Sequence, residues 1–159
     1  MNIFLLCKKG EEMDNKSMIE ALKALLIDSY ALYFKTQNYH WNVQGPEFSS
    51  LHLLFEEQYQ DLATSIDTVA ELIRGLNQKV PGLFALNSPY PKTSINPPNE
   101  HVPSNQMITE LINDYLAIEK TLKMGLAEAE KTDDQVIADF MIERLTVCRK
   151  SLWKLKSSL

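Results

Sequence analysis

The chain has 159 residues, 45% of them hydrophobic and 23% charged, with a formal net charge of −5. That length suits a single domain, and the mixture is ordinary for a globular protein with a real core. The acidic balance argues against strong intrinsic nucleic-acid binding, and two cysteines, Cys7 and Cys148, are too few for a disulfide framework or a zinc spacing.

The opening MNIFLLCKKG has an apolar run of only five residues, too short for a signal core or a membrane span. Residues 1–13 are expected to form a flexible tail, with Met13 a second candidate start, and residues 14–159 the folded domain. Cysteine usage fits a reducing cytoplasm.

A first helix is expected from Ser17, with Glu20 at capping-box spacing, to about Asn42. Ile19, Leu22, Leu26 and Tyr33 give it a three-to-four spacing. The stretch VQGPE stops it, and Pro46 and Glu47 suit the first turn of a second helix. That helix reads Leu51, Phe55, Leu62, Ile66, Val69 and Ile73, a clear 3.6-residue stripe ending near Gly75. Six of the seven prolines then lie between Pro81 and Pro103, which marks 75–103 as a long connection. A third helix follows Ser104, its expected N-cap, with Ile108, Leu111, Tyr115, Ile118 and Leu122 on one face. A fourth follows KTDDQ: Thr132 and Gln135 have capping-box spacing, and Asp133 and Asp134 suit its first turn. Its stripe is Ile137, Met141, Leu145, Cys148, Leu152 and Leu155, so Cys148 reads as a small core residue. Arg149, Lys150, Lys154 and Lys156 gather at its C-terminal end, where the helix dipole favours cations.

Short links make the first two helices antiparallel neighbours, and likewise the last two. The long connection can run back along the second helix, roughly 40 Å, so the second and third helices can lie parallel. The fold class is therefore all-α: a ferritin-like four-helix bundle with a long crossover between helices two and three.

Chemistry-bearing residues fall mainly on the second helix. His52 and Glu56 are four apart, as are Asp67 and Glu71, so each pair shares a helix face and could grip one ion. Glu56 and Asp67 are about 16 Å apart along the axis, too far for one ion to use both pairs within one chain. His40, at the end of the first helix, lies near His52 across the Gly45-Pro46 turn. The chain thus carries a histidine half-site and a carboxylate half-site well separated from it. A second copy packed across a twofold axis would bring its Asp67 and Glu71 to the first copy's His40 and His52, making two equivalent sites. Spacing alone leaves the alternative open that these are solvated helix surface and a turn-capping histidine.

The segment YALYFKTQNYHWNVQGPEFSSLHLLFEEQYQDLATSIDTVAELIRG, residues 30–75, closely resembles the Dps family, the mini-ferritins named as DNA-binding proteins from starved cells. His40, Trp41, Asn42, Gly45, Phe48, Leu51, His52, Glu56, Ile66, Asp67, Ala70 and Glu71 stand in matching register. KSLWKL near the end places a tryptophan where the family has a similar one. The resemblance implies a dodecameric shell that binds Fe(II) at sites shared between twofold-related subunits. There iron is oxidised, usually by hydrogen peroxide, and ferric mineral is stored inside. Carried over by position, the ferroxidase ligands are His40 and His52 from one chain with Asp67 and Glu71 from its partner. Glu56 stands where the family more often has Asp. Trp41 is a candidate radical quencher and equally a packing residue over the turn. Asp133, Asp134 and Asp139 resemble the acidic stretch that lines family pores, and are equally good helix N-terminal charges.

The sequence also departs from the pattern. Leu72 follows Glu71 where the family commonly has Arg, and LNQKVPG replaces the usual short turn. The first sixteen residues are nearly neutral, whereas DNA-binding relatives carry lysine-rich tails. A dodecamer would carry about −60, so DNA binding is expected to be weak or absent. The competing functional reading is a non-enzymatic Dps-like shell or DNA-associated scaffold with a weak site, or one holding zinc in the isolated protein.

Overall fold

The structure, a computed structural model, describes residues 15–82 and 102–159. They form four helices: α1 Lys16–Asn42, α2 Phe48–Gly75, α3 Ser104–Lys131 and α4 Gln135–Lys156. No strand occurs among the described residues, and no helix there is long and apolar enough to cross a membrane. The sequence-predicted tail 1–13 and most of the proline-rich connection lie outside the described residues.

The topology follows from cross-helix pairs. Along α1, Asp28, Lys35 and Tyr39 meet Thr121, Asp114 and Glu110 of α3, so rising numbers meet falling ones and the two run antiparallel. Glu57 and Asp61 of α2 meet Lys154 and Arg144 of α4, again antiparallel. With α1 and α2 joined by a short turn, α2 and α3 run parallel, as the long crossover requires.

The core is the set of stripes read from the sequence. Leu51, Phe55, Leu62, Val69 and Ile73 of α2 are buried against Ile108, Leu111, Tyr115, Ile118 and Leu122 of α3 and the full predicted stripe of α4. The α1 helix is buried over a wider arc, from Met18 through Leu32, because it packs on α2 and α3 at once. Gly125 of α3 marks a close approach: a Cβ there would lie 2.6 Å from the Met141 methyl of α4.

The helix ends differ from the sequence reading in detail. Neither expected capping box forms. At α1 the cap position is Asn15, with no side-chain capping bond, while Glu20 pairs with Lys23 at 2.9 Å. At α4 the cap is Asp134, whose carboxylate accepts from the Ile137 amide at 3.1 Å. Thr132 instead donates back to Glu128 and Ala129 carbonyls, so its hydroxyl is committed to the helix behind it. Ser104 is already inside α3, with Pro103 before it, and Pro46 and Glu47 belong to the turn, since α2 starts at Phe48.

Two helices stop in the same way. Asn77 and Asp133 have φ of 59° and 56°, and the amides of Gln78 and Asp134 reach back to Ile73 and Ala129 carbonyls. This is the left-handed C-terminal motif usually filled by glycine; Asn and Asp tolerate it through their short polar side chains. Gly45, at φ 110°, occupies the turn between α1 and α2, a conformation that an L side chain rarely adopts.

Candidate metal centre

The α1–α2 turn brings His40 and His52 face to face. Their rings stack with centroids 3.7 Å apart and planes 20° apart. The two side chains are tied reciprocally: His40 Nδ1 lies 2.8 Å from the His52 carbonyl, and His52 Nδ1 lies 2.8 Å from the His40 carbonyl. A carbonyl can only accept, so both Nδ1 atoms carry the hydrogen and donate it. Both Nε2 atoms are thereby left with a free lone pair, the form that binds metal. The His40 carbonyl is one of the last in α1, without an intrahelical partner of its own, and the His52 ring satisfies it. Such a bond from the far nitrogen orients a metal-binding imidazole and raises its basicity.

Aromatic rings hold the pair in place. The edge of Tyr59 packs against His40 at 5.2 Å, and Phe48 lies against His52 at 5.0 Å. Tyr59 was missed by the sequence reading, and Phe48 was named there only as a position of the resemblance, with no contact to His52 assigned. The signal was available: they sit four residues before and seven after His52, on the same side of one helix. His40 is buried and His52 half-buried, while Trp41 beside them is 63% exposed. Trp41 therefore does not pack over the turn.

The stacking limits what the pair can bind. An ion bonds an imidazole nitrogen at about 2.1 Å, in the plane of the ring. Two near-parallel planes this far apart cannot both meet that condition for one ion. The pair presents two ligand atoms to two neighbouring positions.

The remaining candidates lie elsewhere. Glu56, half-buried one turn after His52, accepts from Gln60 at 3.2 Å. It does not complete a cage: among the described residues, no three His, Cys, Asp or Glu side chains converge on a metal position. Asp67 and Glu71 are exposed further down α2, with Asp67 about 22 Å along the axis from His52. Neither carboxylate has an ion-pair or hydrogen-bond partner among the described residues. Glu71 lines a hollow of about 370 Å³ between the end of α2 and the start of α4, with Leu72, Leu76, Val136, Ile137 and Asp134. So Asp134, of the predicted pore trio, shares a hollow with Glu71 of the predicted carboxylate pair, and Leu72 gives that hollow an apolar wall. Asp133 accepts from Gln135 at 3.0 Å, and Asp139 is exposed one turn into α4.

A second polar group crosses the bundle near the histidines. Lys35 and Asp114 form a buried ion pair at 2.6 Å. One turn on, the Tyr39 hydroxyl donates a short hydrogen bond to Glu110. Burial pushes the Tyr39 phenol well above its usual range, and the Glu110 bond and charge add to that. Burial also raises the Asp114 carboxyl, which Lys35 only partly offsets. Glu110 is pushed up by burial, but the bonds from Tyr39 and Gln106 and the Lys35 charge outweigh that and hold it below the usual glutamate range.

A four-helix bundle with one long crossover between its second and third helices defines a ferritin-like protein. The family model for the ferritin-like domain matches residues 19–159. DNA protection during starvation protein 2 of Bacillus anthracis is 32% identical over 145 residues, covering 91% of this chain and 98% of that protein. Dps from Thermosynechococcus elongatus superposes with a TM-score of 0.85 at 25% identity, over 93% of both chains. The Dps protein of Vibrio cholerae O1, described as a member of a broad superfamily of ferritin-like diiron-carboxylate proteins, has a TM-score of 0.83 at 26% identity, over 91% of this chain and 90% of its own. The chain belongs to the Dps family of ferritin-like proteins.

Proposed function

We propose that the protein is a ferroxidase and iron store: it oxidises Fe(II) with hydrogen peroxide at sites shared between twofold-related copies, and keeps the ferric product inside a dodecameric shell in the cytoplasm. The observation that carries this is the reciprocally locked imidazole pair, metal-ready on both Nε2 atoms yet completed to no three-ligand cage by its own chain among the described residues. The unpartnered Asp67 and Glu71 are the complementary half. Packed across a twofold axis, each copy supplies the acids that the other's imidazoles lack.

Iron is the substrate here. Imidazole suits Fe(II), and carboxylates favour the harder Fe(III) product. Two Fe(II) ions, one at each Nε2, give two electrons: with two protons, one peroxide becomes two waters and both irons become ferric. The paired step leaves no hydroxyl radical. Glu56, one turn from His52, is proposed to hold a water or the second iron when the partner's carboxylates arrive. Zinc fits the same ligand atoms but has no electron to give, so it would occupy the site without turnover. The acids Asp133, Asp134 and Asp139 are proposed to line the route by which Fe(II) enters.

The test is complementation between copies. A His40→Ala, His52→Ala chain and an Asp67→Ala, Glu71→Ala chain should each be inactive in peroxide-driven iron oxidation. Co-assembled in equal amounts, half of the twofold pairs are mixed and one site in each mixed pair is whole. Activity should return to about a quarter of wild type. Mixtures that stay inactive, although mass spectrometry shows mixed shells, would remove the shared-site reading.

A further inference from the structure

Away from the histidines, the bundle interior holds one amide that the fold leaves unanswered. Gln58 of α2 is only 3% exposed, and among the described residues neither its Nε2 nor its Oε1 has a hydrogen-bond partner. Its place on the helix says where it points. It stands about 40° round the axis from Leu62 on one side and about 60° from Asp61 on the other. Leu62 is buried in the core, whereas Asp61 reaches across to Arg144 of α4, 3.0 Å away, and Glu57 reaches Lys154 at 2.6 Å. Gln58 therefore lies just inside the seam between α2 and α4, behind these two ion pairs. Because the two helices run antiparallel, its level on α4 falls between Arg144 and Lys154, where the buried residues are Cys148, Ser151 and Leu152. Ser151 and Cys148 are small, which leaves room opposite the amide. From α3 the buried Tyr115 phenol hydrogen-bonds with Ser151 and feels the charges of Asp61 and Arg144.

We infer that Gln58 marks a binding site for an internal water molecule, in the α2–α4 seam and shared with the hydroxyls of Ser151 and Tyr115. A buried amide with both ends unmet carries its full desolvation cost, and native interiors rarely leave such a group alone. The chemistry of the amide selects the ligand. Oε1 only accepts and Nε2 only donates, so the guest must do both. A metal cation would answer Oε1 alone, and the nearby Arg144 and Lys154 oppose it. An anion would answer Nε2 alone. Water answers both and has a third and fourth bond for the two hydroxyls, the usual setting of a buried water. The Asp61–Arg144 and Glu57–Lys154 pairs close the seam over it, so the water exchanges slowly. It ties together α2, α3 and α4 at a level where apolar packing is interrupted.

Two measurements on the full-length protein test this. A high-resolution crystal structure of the wild type should show an ordered water bonded to the Gln58 amide and to Ser151 or Tyr115. Oxygen-17 magnetic relaxation dispersion counts slowly exchanging waters in solution; Gln58→Met, which keeps the length of the side chain without its polar atoms, should hold about one fewer per chain than wild type. A wild-type crystal in which both ends of the amide bond to protein groups with no water between them would overturn the site. So would an anomalous signal from a cation at that position, or a count of slow waters that is the same in Gln58→Met as in wild type. The crystal of the wild type decides the question even if the variant fails to fold.

Discussion

At the scale of single residues, Asp134 decides where α4 begins. Its carboxylate accepts the Ile137 amide, while Asp133 before it takes the left-handed conformation that ends α3. Replacing Asp134 by Ala removes the cap and is expected to cost about 1 kcal/mol in urea unfolding. Gln135→Ala should be close to neutral, because its amide reaches only the exposed Asp133 side chain. The reverse ranking would restore Thr132 and Gln135 as the working cap. Cys148 shows how burial sets chemistry at one atom. Its thiol, 3.4 Å from the Tyr115 carbonyl, is pushed up to about 12 by desolvation, so it stays a thiol at neutral pH and packs as a small apolar group.

At the scale of elements, α1 and α3 are joined by charge as well as by apolar packing. Lys35→Met alone leaves Asp114 buried without its cation, and is expected to destabilise the fold by about 3–5 kcal/mol. The double change Lys35→Met, Asp114→Leu should recover most of that loss, since two well-packed apolar groups can replace a buried pair. Urea unfolding of the three variants measures both numbers. Acid acts on the same seam through two carboxyls of opposite sign. Glu110 is lowered on folding, so its stabilisation is present above the usual glutamate range and is lost as pH falls through its folded value. Asp114 is raised, so its contribution runs the other way, present at low pH and lost as pH rises through its folded value. Glu110→Gln should therefore flatten the acid limb of a melting-temperature profile below the glutamate range. An acid limb as steep as in wild type would place the acid sensitivity elsewhere.

At the scale of the whole molecule, charge and exposed apolar surface point to different partners. The chain carries −5, which the proposed shell of twelve would multiply into a field that opposes phosphate. The intact protein should give no gel shift with duplex DNA at physiological salt, and a tight complex there would favour the DNA-associated reading. Large apolar side chains are nevertheless exposed in the single chain: Trp41 and Phe48 beside the histidines, Val136 at the start of α4 and Trp153 at its end. These positions suit contact with further copies of the same chain, which is what the proposed shared site demands.

How much could be read without tertiary structure follows from the range of each interaction. The stripes from Leu51 to Ile73 and from Ile137 to Leu155 are local periodicities, and they gave four helices in nearly their observed places. The long proline-rich connection gave the parallel pair. The pairing of His40 with His52 was also legible, because only a short turn separates them. The caps were misassigned because Thr132 and Asp134 both offer an oxygen, and only the backbone path decides which one meets a free amide. The stacked imidazoles, their fixed hydrogens and the Tyr59 contact were out of reach, since they depend on how two helix faces meet. So was the tie from Lys35 to Asp114, residues 79 apart along the chain. Periodicity along one chain determines which face is buried; packing between chains of atoms in three dimensions decides which polar group meets which.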